Sequence, residues 1–460
     1  MLRRLWVGLA LLVLLLLVSF SPGILGNNFN QPAPPDSPLK ANLSIRFHHL
    51  QAGLQPEARI TVRFSRPVSD RSLAQERLQT NQGSTAYRWL NSQTLVGDVT
   101  GLAFGSHLVA MLDPGIKADG GSPSEDFVSA GLAVPQTITR VDPARAVQLY
   151  YVNTESAHTA FFEHLDQIDI LSPSWYGANA DGSVTSYVHR DVLDAAHAHG
   201  IQVVPLVVNA NVDPEVAHSI LSDPARRARL AEQLARDAAT YGYAGYQLDF
   251  EQVRSADRDL LTQLVRECAA VLHRAHLSLS VAVIPRLGSE QLASGTLLDY
   301  YHAWSGVYDF PALARYADFL SYMTYDEHNG VTGPGPVAGL PWMRAALDYS
   351  LKGVPPAKVM LGLPTYYRDW SDSGKVSSSS FDDAQVLAQR FGSTPVFDPV
   401  EDEMHLSYDT PAGHHELWYE SGDTLRQKLP LIYEYGLKGI SVWRIGFEDP
   451  RFWDLIDRRG

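Results

Sequence analysis

Tyr241-Gly-Tyr-Ala-Gly-Tyr-Gln-Leu-Asp-Phe-Glu251 is the stretch on which the reading of the chain turns. Upstream, Asp223-Pro224 opens a run that carries Leu230 and Leu234 and stops at Gly242, the pattern of a helix with a signal at each end. From Gly245 the residues read as an extended segment. Side chains alternate across a strand with a period of two, so Gln247, Asp249 and Glu251 share one face, and Leu248 and Phe250 share the other. Helix, glycine and strand follow one another, and two carboxylates stand side by side where the strand ends. Alone, such a pair is the ordinary solvated end of a strand; its surroundings give it more weight.

Working outward, strand-like runs alternate with helical ones from about residue 138. They are Val147–Asn153, Ile168–Tyr176, Ile201–Asn209, the stretch above, Leu277–Pro285, Phe319–Asp326, Lys358–Tyr366 and Gly439–Gly446. About eight strand-helix units over roughly 320 residues are what a (β/α)8 TIM barrel requires. A doubly wound open sheet is the alternative. Nearly every run ends in polar or aromatic residues, among them Asn153, Trp175-Tyr176, Asn209, Glu251, Tyr325-Asp326 and Trp443. A barrel builds its site from all its strand ends together, whereas an open sheet uses mainly its switch point, so the barrel is favoured. Between the seventh and eighth strands, residues 368–420 form a longer excursion. It has a Ser-rich loop at Ser377–Ser380, a helix near Asp382–Phe391 and strand-like pieces at Met404–Tyr408 and His415–Tyr419, and it reads as a small α+β insertion walling one side of the site.

Before the barrel, residues 41–136 show short alternating runs such as Ala58–Phe64, Thr94–Gly97 and Ser106–Met111, separated by turn residues, which predict a small all-β sandwich. Residues 27–40 read as a linker. At the N-terminus, Arg3 and Arg4 precede an unbroken apolar run from Leu5 to Phe20, the layout of a signal peptide or an uncleaved signal anchor over residues 1–26. Export is therefore expected, to a secreted or outward-facing, membrane-anchored state. The chain has 460 residues, 45% hydrophobic and 19% charged, with a formal net charge of -14. That balance argues against nucleic acid as a partner and for a neutral or weakly charged one. Cys268, the single cysteine, lies in a helical apolar pattern and reads as a buried small residue, so no disulfide or thiol chemistry is expected.

Four of these runs together resemble glycoside hydrolase family 18. Gly242–Glu251 is similar to the family's fourth-strand signature Asp-x-x-Asp-x-Asp-x-Glu, and Met323-Thr-Tyr-Asp326 to its sixth-strand Met-x-Tyr-Asp. Val359–Tyr367 resembles the seventh strand and Gly439–Trp443 the eighth. The motifs stand in the family's order across residues 139–460, and the branch acting on bacterial cell-wall and exopolysaccharide glycans is the most similar. Residues 41–136 more weakly resemble bacterial immunoglobulin-like domains, through Ile60–Val68 and Leu108–Pro114. Two positions depart from the signature: its first Asp falls on Ala244 and its second on Gln247.

The resemblance implies hydrolysis next to N-acetylhexosamine residues of a polysaccharide or oligosaccharide, with the substrate's own acetamido group as nucleophile. It implies that Glu251 protonates the leaving oxygen, that Asp249 accepts the acetamido N–H, and that Tyr325 donates to the acetamido oxygen. Trp443 would floor the sugar ring. Asp326, Met323, Gln247, Trp175, Tyr176, Asn209 and Tyr366 complete the expected substrate-binding set, although Asn209 is equally suited to capping the next element of the chain. No cofactor and no metal are expected, and a monomer is. His197-Ala-His199 lies before a strand rather than at its C-terminal end, and His414-His415-Glu416 lacks the spacing of a zinc helix. The rival readings are a catalytically inactive glycan-binding protein on the same barrel and a structural partner in polysaccharide export.

Overall fold

The structure, a computed structural model, describes residues 38–49, 56–103, 106–119, 122–134, 141, 144–288, 290 and 294–456. The expected signal segment and most of the expected linker lie outside the described residues. Among those described, no helix is long and apolar enough to cross a membrane. The chain divides into two compact units, with the change at Val134–Pro135.

The first unit is all-β. One antiparallel sheet orders its strands Ala41–His49, Glu57–Phe64, Thr94–Thr100, Ser84–Trp89; a second orders Leu78–Thr80, His107–Leu112, Val128–Ala133. Alternate residues of both sheets, among them Ile60, Val62, Leu95, Leu108 and Leu112, enter one apolar core, as a period of two requires.

The second unit is a barrel. Its strands are β1 (Ala146–Tyr151), β2 (Ile170–Pro173, then Tyr176–Ala178), β3 (Gln202–Val203, then Leu206–Asn209), β4 (Gly245–Asp249), β5 (Ser278–Val283), β6 (Phe319–Tyr322), β7 (Val359–Pro364) and β8 (Gly439–Trp443). All neighbours pair in parallel, and β8 pairs with β1. The ring closes through the two broken strands. The first piece of β2 pairs with Gln202–Val203, and its second piece with Leu206–Asn209.

The helix before β4 shows how the sequence writes this unit. Asp223 caps it by accepting from the Ala225 N–H, Pro224 takes the first helical position, and Gly242 ends it at φ 70°, a left-handed turn that favours glycine. Leu230, Ala231, Leu234 and Ala238 face the barrel wall. Along β4, Tyr246 and Leu248 join the core between strands and helices, as does Phe250 just beyond it, while Gln247 and Asp249 take the alternate positions and face the barrel axis. Cys268 is buried in the next helix.

After β7 comes the insertion. Its five-stranded antiparallel sheet runs in the order Val376–Ser380, Tyr366–Ser371, Gly413–Tyr419, Glu403–Thr410, Val396–Asp398, with the helix Phe381–Phe391 packed on it. Ser377–Ser380, expected as a loop, is an edge strand paired with Tyr366–Asp369. Serine has little strand propensity of its own, and at a sheet edge the ladder needs no apolar alternation.

Candidate active site

At the C-terminal mouth of the barrel, a cavity of about 200 Å³ is lined by Tyr150, Asp249, Glu251, Met323, Tyr325 and Asp326, with Tyr366, Arg368, Ser378, Trp443 and Phe447 beside them. Seven of the residues expected from sequence therefore converge: Glu251, Asp249, Tyr325, Asp326, Met323, Tyr366 and Trp443.

Asp249 closes β4 and is buried, and its Oδ1 has no hydrogen-bond partner among the described residues. Burial raises its pKa. Glu251 lies just beyond the strand, and its pKa is pushed up to about 8, first by burial and then by the charges of Asp249 and Asp326. Its main chain is clamped: the Glu251 N–H donates to Asn209 Oδ1 at 3.0 Å, and Asn209 Nδ2 donates back to the Glu251 carbonyl at 3.1 Å. Tyr308 donates to the carbonyl of the preceding residue, Phe250, at 3.0 Å.

Tyr325 faces the pair from the segment after β6, with its ring edge-on to Tyr366 at 6.2 Å. It fits because residue 362 is glycine: a Cβ there would lie 2.2 Å from the Tyr322 carbonyl oxygen and 3.0 Å from the Tyr325 ring. Asp326, at φ 62°, is held by the insertion. It accepts from Tyr366 at 2.6 Å, and from Arg368 Nε and Nη2 at 2.8 and 2.7 Å. Trp443 ends β8, its ring 5.4 Å from that of Tyr150.

Four expected residues lie elsewhere. Trp175 and Tyr176 sit in the barrel wall rather than in the cleft. Trp175 is at the break in β2, and Tyr176 packs edge-on against Tyr243 and Tyr246 on the outer side. Ile170 and Ser172 face the barrel interior, so an unbroken alternation would have aimed Tyr176 inward and Trp175 outward; the break resets it, and both rings pack in the wall. Asn209 is fully buried and spends its amide on the main chain of Glu251 and on the Asp213 carbonyl. Gln247 lies one layer below the cavity in a neutral network. Its Oε1 accepts from Gln148 at 3.1 Å, and its Nε2 donates to Ser280 and Ser321, both at 3.1 Å. Ala244 is lower still, packed with Ile170, Val204, Phe319 and Met360. Sequence reasoning missed Tyr150, Arg368, Ser378 and Phe447. Tyr150 falls within a recognised strand run and was open to the same strand-end argument; Arg368 and Ser378 belong to the insertion, whose contribution of side chains to the cleft has no local signature.

Residues 146–448 match glycosyl hydrolases family 18. The chain belongs to that family. It is a family 18 glycoside hydrolase, with relatives that fit this membership. It is 27% identical over 320 residues to an uncharacterised glycosylase of Bacillus subtilis, covering 68% of this chain and 90% of the relative. It is 25% identical over 273 residues to the cortical fragment-lytic enzyme of Bacillus subtilis, covering 58% of this chain and 61% of that enzyme. Among solved structures, a chitinase from Chromobacterium violaceum superposes with a TM-score of 0.62 at 28% identity, covering 68% of this chain and 98% of its own. The family 18 barrel is thus carried by β1–β8, and the candidate site lies at the ends of β1, β4, β6, β7 and β8.

Proposed function

We propose that this glycoside hydrolase cleaves bonds next to N-acetylhexosamine residues in a cell-wall or extracellular polysaccharide, with retention and with the substrate's acetamido group as nucleophile. The observation that carries the reading is Asp249, which lines the same cavity as Glu251 and Tyr325 and whose Oδ1 is a buried acceptor without a partner among the described residues. A buried acceptor is costly unless a donor meets it. The acetamido N–H is such a donor, and accepting from it turns the acetamido oxygen toward the anomeric carbon. The ionised carboxylate then stabilises the positive charge of the cyclic oxazolinium as it forms. Tyr325 donates to the acetamido oxygen. Glu251, kept protonated by burial and by its two anionic neighbours, gives its proton to the leaving oxygen and then removes one from the incoming water. Trp443 offers an apolar face to the sugar ring. We place this activity outside the cytoplasmic membrane, on the strength of Arg3-Arg4 and the apolar run after them, and take the all-β unit as a spacer or wall-binding module.

Reducing-end release is the direct test. The native chain should cleave N-acetylglucosamine oligomers and leave the same oligomers uncut after chemical N-deacetylation, and Glu251→Gln should lower turnover by roughly 10²- to 10⁴-fold. Equal cleavage of acetylated and deacetylated oligomers would remove the acetamido nucleophile from the mechanism. Binding without release by the native chain would instead favour a glycan-binding protein.

A further inference from the structure

Arg368 and Arg444 both stand at the mouth of the barrel, and they are used differently. Arg368 is spent on Asp326 through two hydrogen bonds. Arg444, the residue after Trp443, is not matched in this way. Its main chain is fixed by Thr365 at the end of β7: the Arg444 N–H donates to the threonine hydroxyl oxygen at 2.7 Å, and that hydroxyl donates to the Arg444 carbonyl at 2.7 Å. Its guanidinium lies 3.7 Å from the centre of the Phe447 ring, and Nη1 makes one long contact, 3.4 Å, to the Thr154 hydroxyl beyond β1. Among the described residues no ion pair involves Arg444. The acid that acts on it electrostatically, Glu448, already accepts from the Gly446, Phe447 and Trp453 N–H groups. Partial burial lowers the Arg444 pKa, as expected of a cation that has given up water without gaining an ion pair.

Phe447 and Trp443 both line the cavity, so this guanidinium stands one ring away from where the sugar would lie. The charged residues that line the cleft are Asp249, Glu251, Asp326 and Arg368, the last spent on Asp326, and the chain carries a formal net charge of -14, a setting in which an anionic ligand needs a further cation to hold it. A planar, permanently charged fork on an aromatic shelf suits a carboxylate.

We propose that Arg444 binds a carboxylate substituent of the glycan, which makes the preferred substrate an acidic N-acetylhexosamine polymer, such as one bearing lactyl ethers, rather than a neutral one. This rests on the function proposed above and sharpens its substrate class.

The test compares peptide-free glycan strands of alternating N-acetylglucosamine and N-acetylmuramic acid with the same strands after their carboxylates are methyl-esterified. In the native chain kcat/KM is higher on the free-acid strands. In Arg444→Gln the ratio of free-acid to esterified kcat/KM falls about tenfold, the effect of one hydrogen bond to a charged group, with the loss in KM rather than kcat; Arg444→Lys restores part of it. A ratio in Arg444→Gln equal to that of the native chain overturns the assignment, and because each variant is compared with itself, a partly unfolded preparation cannot imitate the result. If the native chain cleaves neither strand, the proposed hydrolysis fails, and calorimetric binding of the two strands then reads Arg444 through the same ratio.

Discussion

Burial sets the working protonation state of Glu251. Its pKa is raised to about 8, with desolvation first among the causes and the charges of Asp249 and Asp326 next, so the acid keeps its proton at neutral pH and loses it as pH rises through that value. The alkaline limb of kcat/KM should therefore report Glu251. Asp326→Asn removes one of the two anions and frees Arg368 from its partner. Both changes favour the ionised form of Glu251, so the limb should move to lower pH; a limb that stays in place would mean that Asp326 does not act on the acid. At this scale the sequence was legible where chemistry and strand ends coincide, at Asp249, Glu251, Tyr325, Asp326 and Trp443. It was less legible at Asn209. Its position at a strand end announces a polar role, but nothing local shows that both halves of its amide are taken by the main chain of Glu251, 42 residues away.

Elements position these side chains through close backbone approaches, and β7 is the sharpest case. Gly362 lets β7 lie against β6 while the ring of Tyr325 folds over it, and Thr324 donates to the Gly362 carbonyl at 2.7 Å, fixing the same segment from the other side. In Gly362→Ala the new methyl group meets the Tyr322 carbonyl oxygen at 2.2 Å, the Thr324 nitrogen at 2.9 Å and the Tyr325 ring at 3.0 Å, so β6 and β7 must part and carry the tyrosine with them. Displacement of a positioning group by about 1 Å can cost up to roughly 10²-fold. The expected outcome is a fall in kcat of about that size or somewhat less, with binding of an N-acetylglucosamine oligomer retained; unchanged kcat would mean that Tyr325 does not need its present place. The order of the strands and the helix-glycine-strand passage into β4 were readable because periodicity and caps are local. The break in β2 was not, because it answers the matching break in β3 across the sheet, and it is this break that turns Tyr176 away from the cleft.

Across the second unit, the insertion is fastened to the barrel by acids brought together from distant parts of the chain. Glu403, in the insertion, accepts from the Val337 and Ala338 N–H groups at 2.8 and 2.9 Å, and Glu327, the residue after Asp326, accepts from the Gly339 N–H at 2.9 Å. Both lie at the start of the helix Leu340–Ser350. Nearby, Glu420 pairs with Lys428, both fully out of solvent. No motif marks this arrangement, since Glu327, Glu403 and Glu420 are far apart in sequence and each resembles an ordinary surface acid. Burial, reinforced by the neighbouring acids, raises Glu327 to about 9 and Glu403 to about 8. A carboxyl whose pKa is higher folded than unfolded contributes stability that is fully present below the unfolded value, near 4.3, and is lost as pH rises through the folded one. Stability against urea should therefore decline between about pH 5 and pH 9. Glu327→Gln keeps an oxygen for Gly339 and removes the titration, so its decline over the same range should be shallower. Equal slopes in the two proteins would show that Glu327 is not protonated in the folded chain. Because Glu327 is joined directly to Asp326, its ionisation would also load the segment that carries Tyr325, so the loss of stability should accompany the alkaline loss of turnover in the native chain and separate from it in Glu327→Gln.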